Sequence, residues 1–106
     1  MSPTAQKLND QIHAILAETK GTGTFVSERI QGQLGLMRPS DLDALEPPPI
    51  SNGYWTDDNA FCRRLAGRLF EVSPETIDEM NPALYPVMLS IVSQNFLAFL
   101  ARAIRD

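Results

Sequence analysis

The sequence contains very little of what would build a disulfide or a metal site. Its 106 residues include one cysteine, Cys62, and one histidine, His13. A single cysteine cannot form an internal disulfide, and one cysteine with one histidine does not complete a structural zinc site. We therefore expect a protein of the reducing cytoplasm that needs no metal or other cofactor.

Positive charge and long apolar runs are also scarce. Nine Lys and Arg residues are outnumbered by thirteen Asp and Glu residues, and the net charge of −4 repels a phosphate backbone. Residues 1–7 lack the apolar stretch of a secretory signal. The most apolar run, 87–101, is too short to span a bilayer and has Ser90, Ser93, Gln94 and Asn95 at its centre. No nucleic-acid partner and no membrane partner is expected.

What the chain does contain is apolar residues at helical spacing. Hydrophobic residues make up 43% of the sequence and charged residues 21%, the balance of a globular chain rather than a disordered one. A length of 106 residues suits one core. The prediction is an all-α fold, a small single-domain bundle of about five helices spanning residues 1–106.

The N-terminal third predicts two helices. The first begins with Ser2 as the N-cap and Pro3 as the first helical residue, and it ends before Gly21. The second lies within residues 24–37, where Thr24 can serve as the cap. Its apolar residues at helical spacing are Val26, Ile30, Leu34 and Met37.

The second segment has two further features. Gly35 is expected to end its helix, with Leu36 folding back toward Ile30 in a Schellman arrangement. The alternative is a short β-hairpin over 24–37 that turns at Gln31 and Gly32, because Ile30, Leu34 and Leu36 also suit a period of two.

The middle of the chain predicts a short helix and a loop. Ser40 and Asp43 have capping-box spacing at the start of the helix, and the run Pro47–Pro49 ends it. Residues 46–56 then form a Pro-rich connecting loop with a turn at Asn52–Gly53. The Tyr54–Trp55 pair could hold this loop against the core.

The C-terminal half predicts three further helical segments. Thr56 or Asp57 caps a helix that runs to about Phe70, and Asp57 and Asp58 favour its positive N-terminal end. Ser73 and Pro74 open a short helix, with a hydrophobic staple formed by Val72 and Ile77. The last helix starts near Asn81–Pro82 and runs to about Arg105, and Pro86 either kinks its first turn or marks its true start.

No group of residues predicts catalysis. Nothing in the spacing brings Cys62 to His13, so Cys62 is interpreted as a buried packing residue and His13 as a solvated or capping residue. The acidic residues lack the spacing of a calcium loop. Arg63, Arg64 and Arg68 form one basic cluster, interpreted as a solvated helix face rather than an anion site. The chain is therefore expected not to be an enzyme.

The last helix is the exception to this ordinary pattern, because apolar residues cover more than half of its circumference. So wide an apolar surface needs neighbours on more than one side. One interpretation is that it is the central core helix, covered by the others. The other is that part of it meets another chain. The predicted partner-binding residues are Val87, Ile91, Phe96, Phe99, Leu100 and Ile104.

From Arg38-Pro39-Ser40-Asp41-Leu42 onward, the chain resembles the tail assembly chaperones of long-tailed bacteriophages. Those small proteins have a basic-Pro-small-Asp-Leu motif that opens a short helix. The similar order of elements continues through Leu69–Ser73, Pro74–Met80 and the apolar last helix. The chain departs from the family at Glu71, where a glycine is common, and in its N-terminal third, which predicts helix where many relatives have short strands.

The resemblance implies a non-enzymatic role. Such a chaperone binds apolar helical segments of the tape measure protein, keeps them from aggregating and helps to recruit tail tube subunits. Two alternatives come from other classes. One is a small homo-oligomeric regulatory or adaptor protein that associates through its last helix. The other is a helical nucleic-acid-binding module that uses the three arginines, with a helix-turn-helix within residues 57–80.

We predict that Cys62→Ala lowers only the stability of the protein, because the neighbours of Cys62 on its helix indicate packing and no base is placed to activate the thiol. Urea denaturation would report the loss of stability. A variant that stays fully folded but no longer binds its partner would instead indicate a thiol mechanism.

Overall fold

Six helices make up most of the chain that the computed structural model describes, which is residues 2–48, 50–51, 54–55 and 59–105, without the side chains of 50, 51, 54, 55 and 103–105. The all-α prediction is confirmed. The short segments Pro39–Ala44 and Pro74–Glu79 are each a separate helix, so the described residues hold six helices where about five were expected. The helices are α1 (Pro3–Glu18), α2 (Glu28–Leu36), α3 (Pro39–Ala44), α4 (Asn59–Phe70), α5 (Pro74–Glu79) and α6 (Tyr85–Arg105).

The Pro-rich connection between α3 and α4 contains a small strand pair that was not expected. β1 (Ile50–Ser51) and β2 (Tyr54–Trp55) pair antiparallel, with Ile50 opposite Trp55. Two residues per strand are too few to produce a periodic signal in the sequence. The predicted turn at Asn52–Gly53 and the predicted caps Thr56 and Asp57 lie outside the described residues.

The helix prediction for residues 24–37 is correct and the hairpin alternative is wrong, but the helix starts later than expected. Its N-cap is Ser27, whose Oγ accepts the N–H of Ile30 at 3.4 Å. Residues 25–27 stay outside the helix because backbone groups of Phe25 and Ser27 are hydrogen-bonded to the side chains of Gln94 and Asn95 on α6. The predicted Schellman end is also wrong: Met37 is extended, with φ −76° and ψ 136°, and Leu36 is 85% exposed.

The start of α3 also corrects the expected cap. Arg38, not Ser40, occupies the N-cap position, and Pro39 is the first helical residue. Proline favours that position because its φ is already helical and it has no N–H to leave unsatisfied. The carboxylate of Asp41 accepts the backbone N–H of Arg38 at 3.1 Å, the bond that the predicted capping box assigned to Asp43.

The connection from α4 to α5 is a tight Schellman turn. The N–H of Val72 donates to the carbonyl oxygen of Gly67 at 3.0 Å, and Glu71 takes a left-handed conformation with φ +55°. A Cβ on Gly67 would lie 3.1 Å from the carbonyl oxygen of Val72, so glycine permits this close return of the chain. The predicted cap of α5 is confirmed, since the Oγ of Ser73 accepts the N–H of Thr76 at 3.2 Å.

Helix α6 is the longest and lies at the centre of the packing. It starts at Tyr85, so Pro86 marks its true start rather than kinking it. It packs mainly on α4 and α2, while α1 packs on α5. Its buried core residues are Met88, Ile91, Val92 and Phe96, and the rings of Phe61 and Phe96 meet edge to face at 5.0 Å. In the described part of the chain, no helix combines the length and apolar character needed to cross a membrane.

A buried asparagine attaches the second helix to the last one. The side-chain amide nitrogen of Asn95 donates to the carbonyl oxygens of Phe25 (2.9 Å) and Ile91 (2.8 Å). Its oxygen accepts the N–H of Ser27 at 2.9 Å and the amide of Gln31 at 3.2 Å. Asn95 and Ser27 are both fully buried. All four hydrogen-bonding positions of the Asn95 side chain are thus used.

We predict that Asn95→Ala destabilises the protein by about 3 kcal/mol, because it leaves the buried N–H of Ser27 and carbonyl of Phe25 without their partners. Urea denaturation would measure the change, and the amide proton of Ser27 should exchange faster. The control is Gln94→Ala, which removes one bond at the half-buried edge, from the N–H of Phe25, and should cost only about 1 kcal/mol. Equal losses in the two variants would contradict a central role for Asn95.

We also predict that Glu71→Gly raises the stability by about 1 kcal/mol. Relief of the left-handed conformation at a residue with a Cβ is worth about 1–2 kcal/mol, and the added chain entropy of glycine offsets about 0.5–1 kcal/mol of it. Thermal unfolding would measure the gain. Glu75→Gly, placed inside α5, should instead lower the stability. A lower melting temperature for Glu71→Gly would show that this turn stores no backbone strain.

Candidate functional site

The predicted partner-binding residues of α6 divide into two groups. Ile91 and Phe96 are buried in the core, so their side chains hold the domain together in this conformation. Val87, Phe99 and Leu100 are half-buried and pack against the edge of that core. The side chain of Ile104 lies outside the described residues.

The structure adds Leu97 to this surface, a residue that is not among the predicted partner-binding residues. Leu97 is 41% exposed, more than any other large apolar residue described on α6. A signal for it was available, since Ser90 precedes it by two helical turns and therefore shares its face. Ser90 and Ala101, one turn beyond Leu97, are both exposed. Leu97 is thus an apolar residue on the solvent-facing side of the helix.

Helix α2 leaves this end of α6 only partly covered. Arg102 donates to the side-chain oxygen of Gln31 at 3.3 Å and lies 3.5 Å from the carboxylate of Glu28. These polar contacts attach the end of α6 to α2 along one side. The last core residue described on α6 is Phe96, and the helix continues to Arg105. We call the surface formed by Leu97 and Leu100, which are three residues apart and share a face of α6, the α6 apolar end.

A second feature is a groove of about 530 Å³ between α3, α4 and α5, which we call the arginine groove. Its apolar lining includes Leu45, Ala60, Val72 and Ile77. The three arginines of the basic cluster also line it. Its complete lining is Leu45, Ala60, Arg63, Arg64, Gly67, Arg68, Val72, Pro74 and Ile77.

Two of the groove arginines form ion pairs with the chain. Arg63 pairs with Asp78 at 2.5 Å and lies over the ring of Tyr85, 5.9 Å from its centroid. The hydrogen bond to Asp78 is the main reason that the pKa of Arg63 is raised. Arg68 lies 3.7 Å from Asp41. The backbone N–H of Arg38 is the main cause of the lowered pKa of Asp41.

Arg64 is engaged differently, because it binds backbone oxygens. Its guanidinium donates to the carbonyls of Leu45 at 2.7 Å and Glu46 at 3.2 Å. These carbonyls lie just beyond the last residue of α3, where a cation is favoured. Arg64 therefore holds the end of α3 against α4. Within the described ranges, no carboxylate forms an ion pair with it.

The residues considered for chemistry are dispersed. Cys62 is buried in the core, whereas His13 is exposed on α1. Among the described residues, no group of three or more His, Cys, Asp or Glu side chains could hold a metal ion. The segment considered for a helix-turn-helix contains α4 and the six-residue α5. Asp57 and Asp58 lie outside the described residues.

Comparison with known proteins gives no further assignment for these two surfaces. No protein-family model, curated protein or solved structure matches this chain.

Proposed function

We propose that this protein is a non-enzymatic binding protein that holds an apolar helical segment of another protein at the α6 apolar end. The observation that carries the proposal is the exposure of Leu97 on the solvent-facing side of α6, next to the half-buried Leu100 one turn further on. Together they form an apolar surface that the other described helices do not cover completely.

Helix-in-groove recognition works by burying such apolar faces. Full burial of one large apolar side chain contributes roughly 1.5–3 kcal/mol. Leu97 and Leu100 are already partly buried, so only part of that stabilisation remains available on binding a partner. A contact of this size suits a partner that is held and released, as a chaperone must do.

The resemblance to phage tail assembly chaperones suggests what the partner is. In that role the partner is the tape measure protein, or another tail protein, and the place of action is the cytoplasm of the host bacterium. The order of elements supports the proposal: Arg38–Leu42 spans the start of α3, Ser73 caps α5, and the apolar α6 closes the fold. The same surface could also support self-association, the alternative of a homo-oligomeric adaptor.

We predict that Leu97→Asp abolishes this activity without unfolding the protein, since the replaced side chain is 41% exposed and the new charge resists burial in an interface. The probe is a synthetic leucine- and alanine-rich helical peptide that aggregates in water. The wild-type protein should delay its aggregation, followed by turbidity, and Leu97→Asp should not.

The matched control is Ser90→Asp, which places the same charge on the same face of α6, two turns before Leu97. It should protect the peptide as the wild type does, and circular dichroism should show both variants folded. Protection by Leu97→Asp equal to that by Ser90→Asp would sink the proposal. A wild-type protein that dimerises in light scattering, does so through Leu97 and leaves the peptide to aggregate would favour the adaptor alternative.

A further inference from the structure

We propose that the arginine groove is a second docking site, which takes an amphipathic helix with acidic residues beside its apolar face. None of the residues that line the groove belongs to α6. This inference therefore goes beyond the α6 apolar end and does not depend on it. It rests on the apolar lining of the groove, the charge around it and the kind of backbone that forms its walls.

The apolar part of the groove can receive apolar side chains of a partner. Leu45, Val72 and Ile77 come from three different segments that converge on the Ala60 side of α4. Leu45 and Val72 are half-buried, and Ala60 is exposed. A volume of about 530 Å³ is within the range of roughly 300–1,000 Å³ that is common for binding sites.

The charged residues that line the groove are all arginines, in a chain that is acidic as a whole. Arg38 and Arg68 share the carboxylate of Asp41, at 3.4 and 3.7 Å. Arg63 pairs with Asp78, and Arg64 binds backbone carbonyls only. Three arginines thus share two aspartates, and Arg64 forms no ion pair among the described residues. The chain carries −4 in total, so the groove is complementary to an acidic partner.

The backbone of the walls favours a helical occupant. The lining residues come from α3 to α5 and the turns that end them, and no described strand is among them. An extended peptide would therefore find no strand edge to pair with, whereas a helix satisfies its own backbone hydrogen bonds. The apolar floor also distinguishes this groove from a phosphate-binding surface, which is lined by polar and basic groups.

The test is a fluorescence anisotropy titration of the full chain with two synthetic helical peptides. Both carry leucines at positions i and i+4. One has glutamates beside the leucines, and the other has glutamines in their place. The glutamate peptide should bind at least about tenfold more tightly, and its affinity should fall as salt is added, because the guanidinium groups are exposed to screening.

Two pairs of variants locate the site. Arg68→Glu should weaken the glutamate peptide about tenfold, whereas Arg29→Glu, the same charge change at an exposed position of α2, should not. Ala60→Trp should block the groove, whereas Ala14→Trp, at an exposed position of α1, should leave binding intact. The pair Ala60→Trp and Ala14→Trp keeps the test valid if Arg68→Glu disturbs the local structure by removing the ion pair between Arg68 and Asp41. Circular dichroism confirms that each variant is folded.

The result that supports the proposal is preference for the glutamate peptide, lost in Arg68→Glu and Ala60→Trp and kept in both controls. Absence of wild-type binding, equal binding of the two peptides, or insensitivity to Ala60→Trp would overturn it. So would tighter binding of a labelled DNA duplex with the same sensitivity to Arg68→Glu, which would assign the groove to nucleic acid. Leu97→Asp should bind the glutamate peptide normally, so failure of one site is distinguishable from failure of the other.

Discussion

The hydrogen bonds of Asn95 are the constraint on which the arrangement of the helices depends. A fully buried amide in the middle of the most apolar helix is costly unless each of its donors and acceptors is satisfied. Asn95 meets this requirement only when residues 25–27 lie extended across α6 and Gln31 of α2 reaches it. Apolar contacts can tolerate small changes in helix position, whereas these four hydrogen bonds form in only one arrangement of the helices. These hydrogen bonds also explain why Ser27, and not Thr24, is the N-cap of α2.

The position of α2 in turn decides which part of α6 meets solvent. Because α2 lies along one side of α6 and reaches its end through Arg102, Leu97 is left exposed by the part of the chain that the structure describes. Between α3 and α4, the guanidinium of Arg64 holds the end of α3 in place and so helps to form one wall of the arginine groove. Both candidate surfaces therefore result from polar contacts that position helices, and not from the apolar core itself.

Several elements could be predicted closely because their signals are local. Ser73 and Pro74 open α5 as expected, Ser2 caps α1, and Pro86 lies in the first turn of α6. The errors came where a distant contact competes with a local one. Thr24 is a suitable cap, but the backbone after it is bound by α6. Leu36 was expected to fold back, yet Met37 continues in an extended conformation and leaves it exposed.

The class of fold, several helix boundaries and the wide apolar surface of the last helix follow from local sequence patterns, because periodicity and capping involve residues within a few positions of one another. The burial of Ile91 and Phe96, the exposure of Leu97 and the groove lined by the three arginines become visible only once the helices are packed together. The contacts responsible join residues far apart in the chain, such as Ser27 and Asn95. No local pattern encodes which of several apolar or basic residues will find such a neighbour.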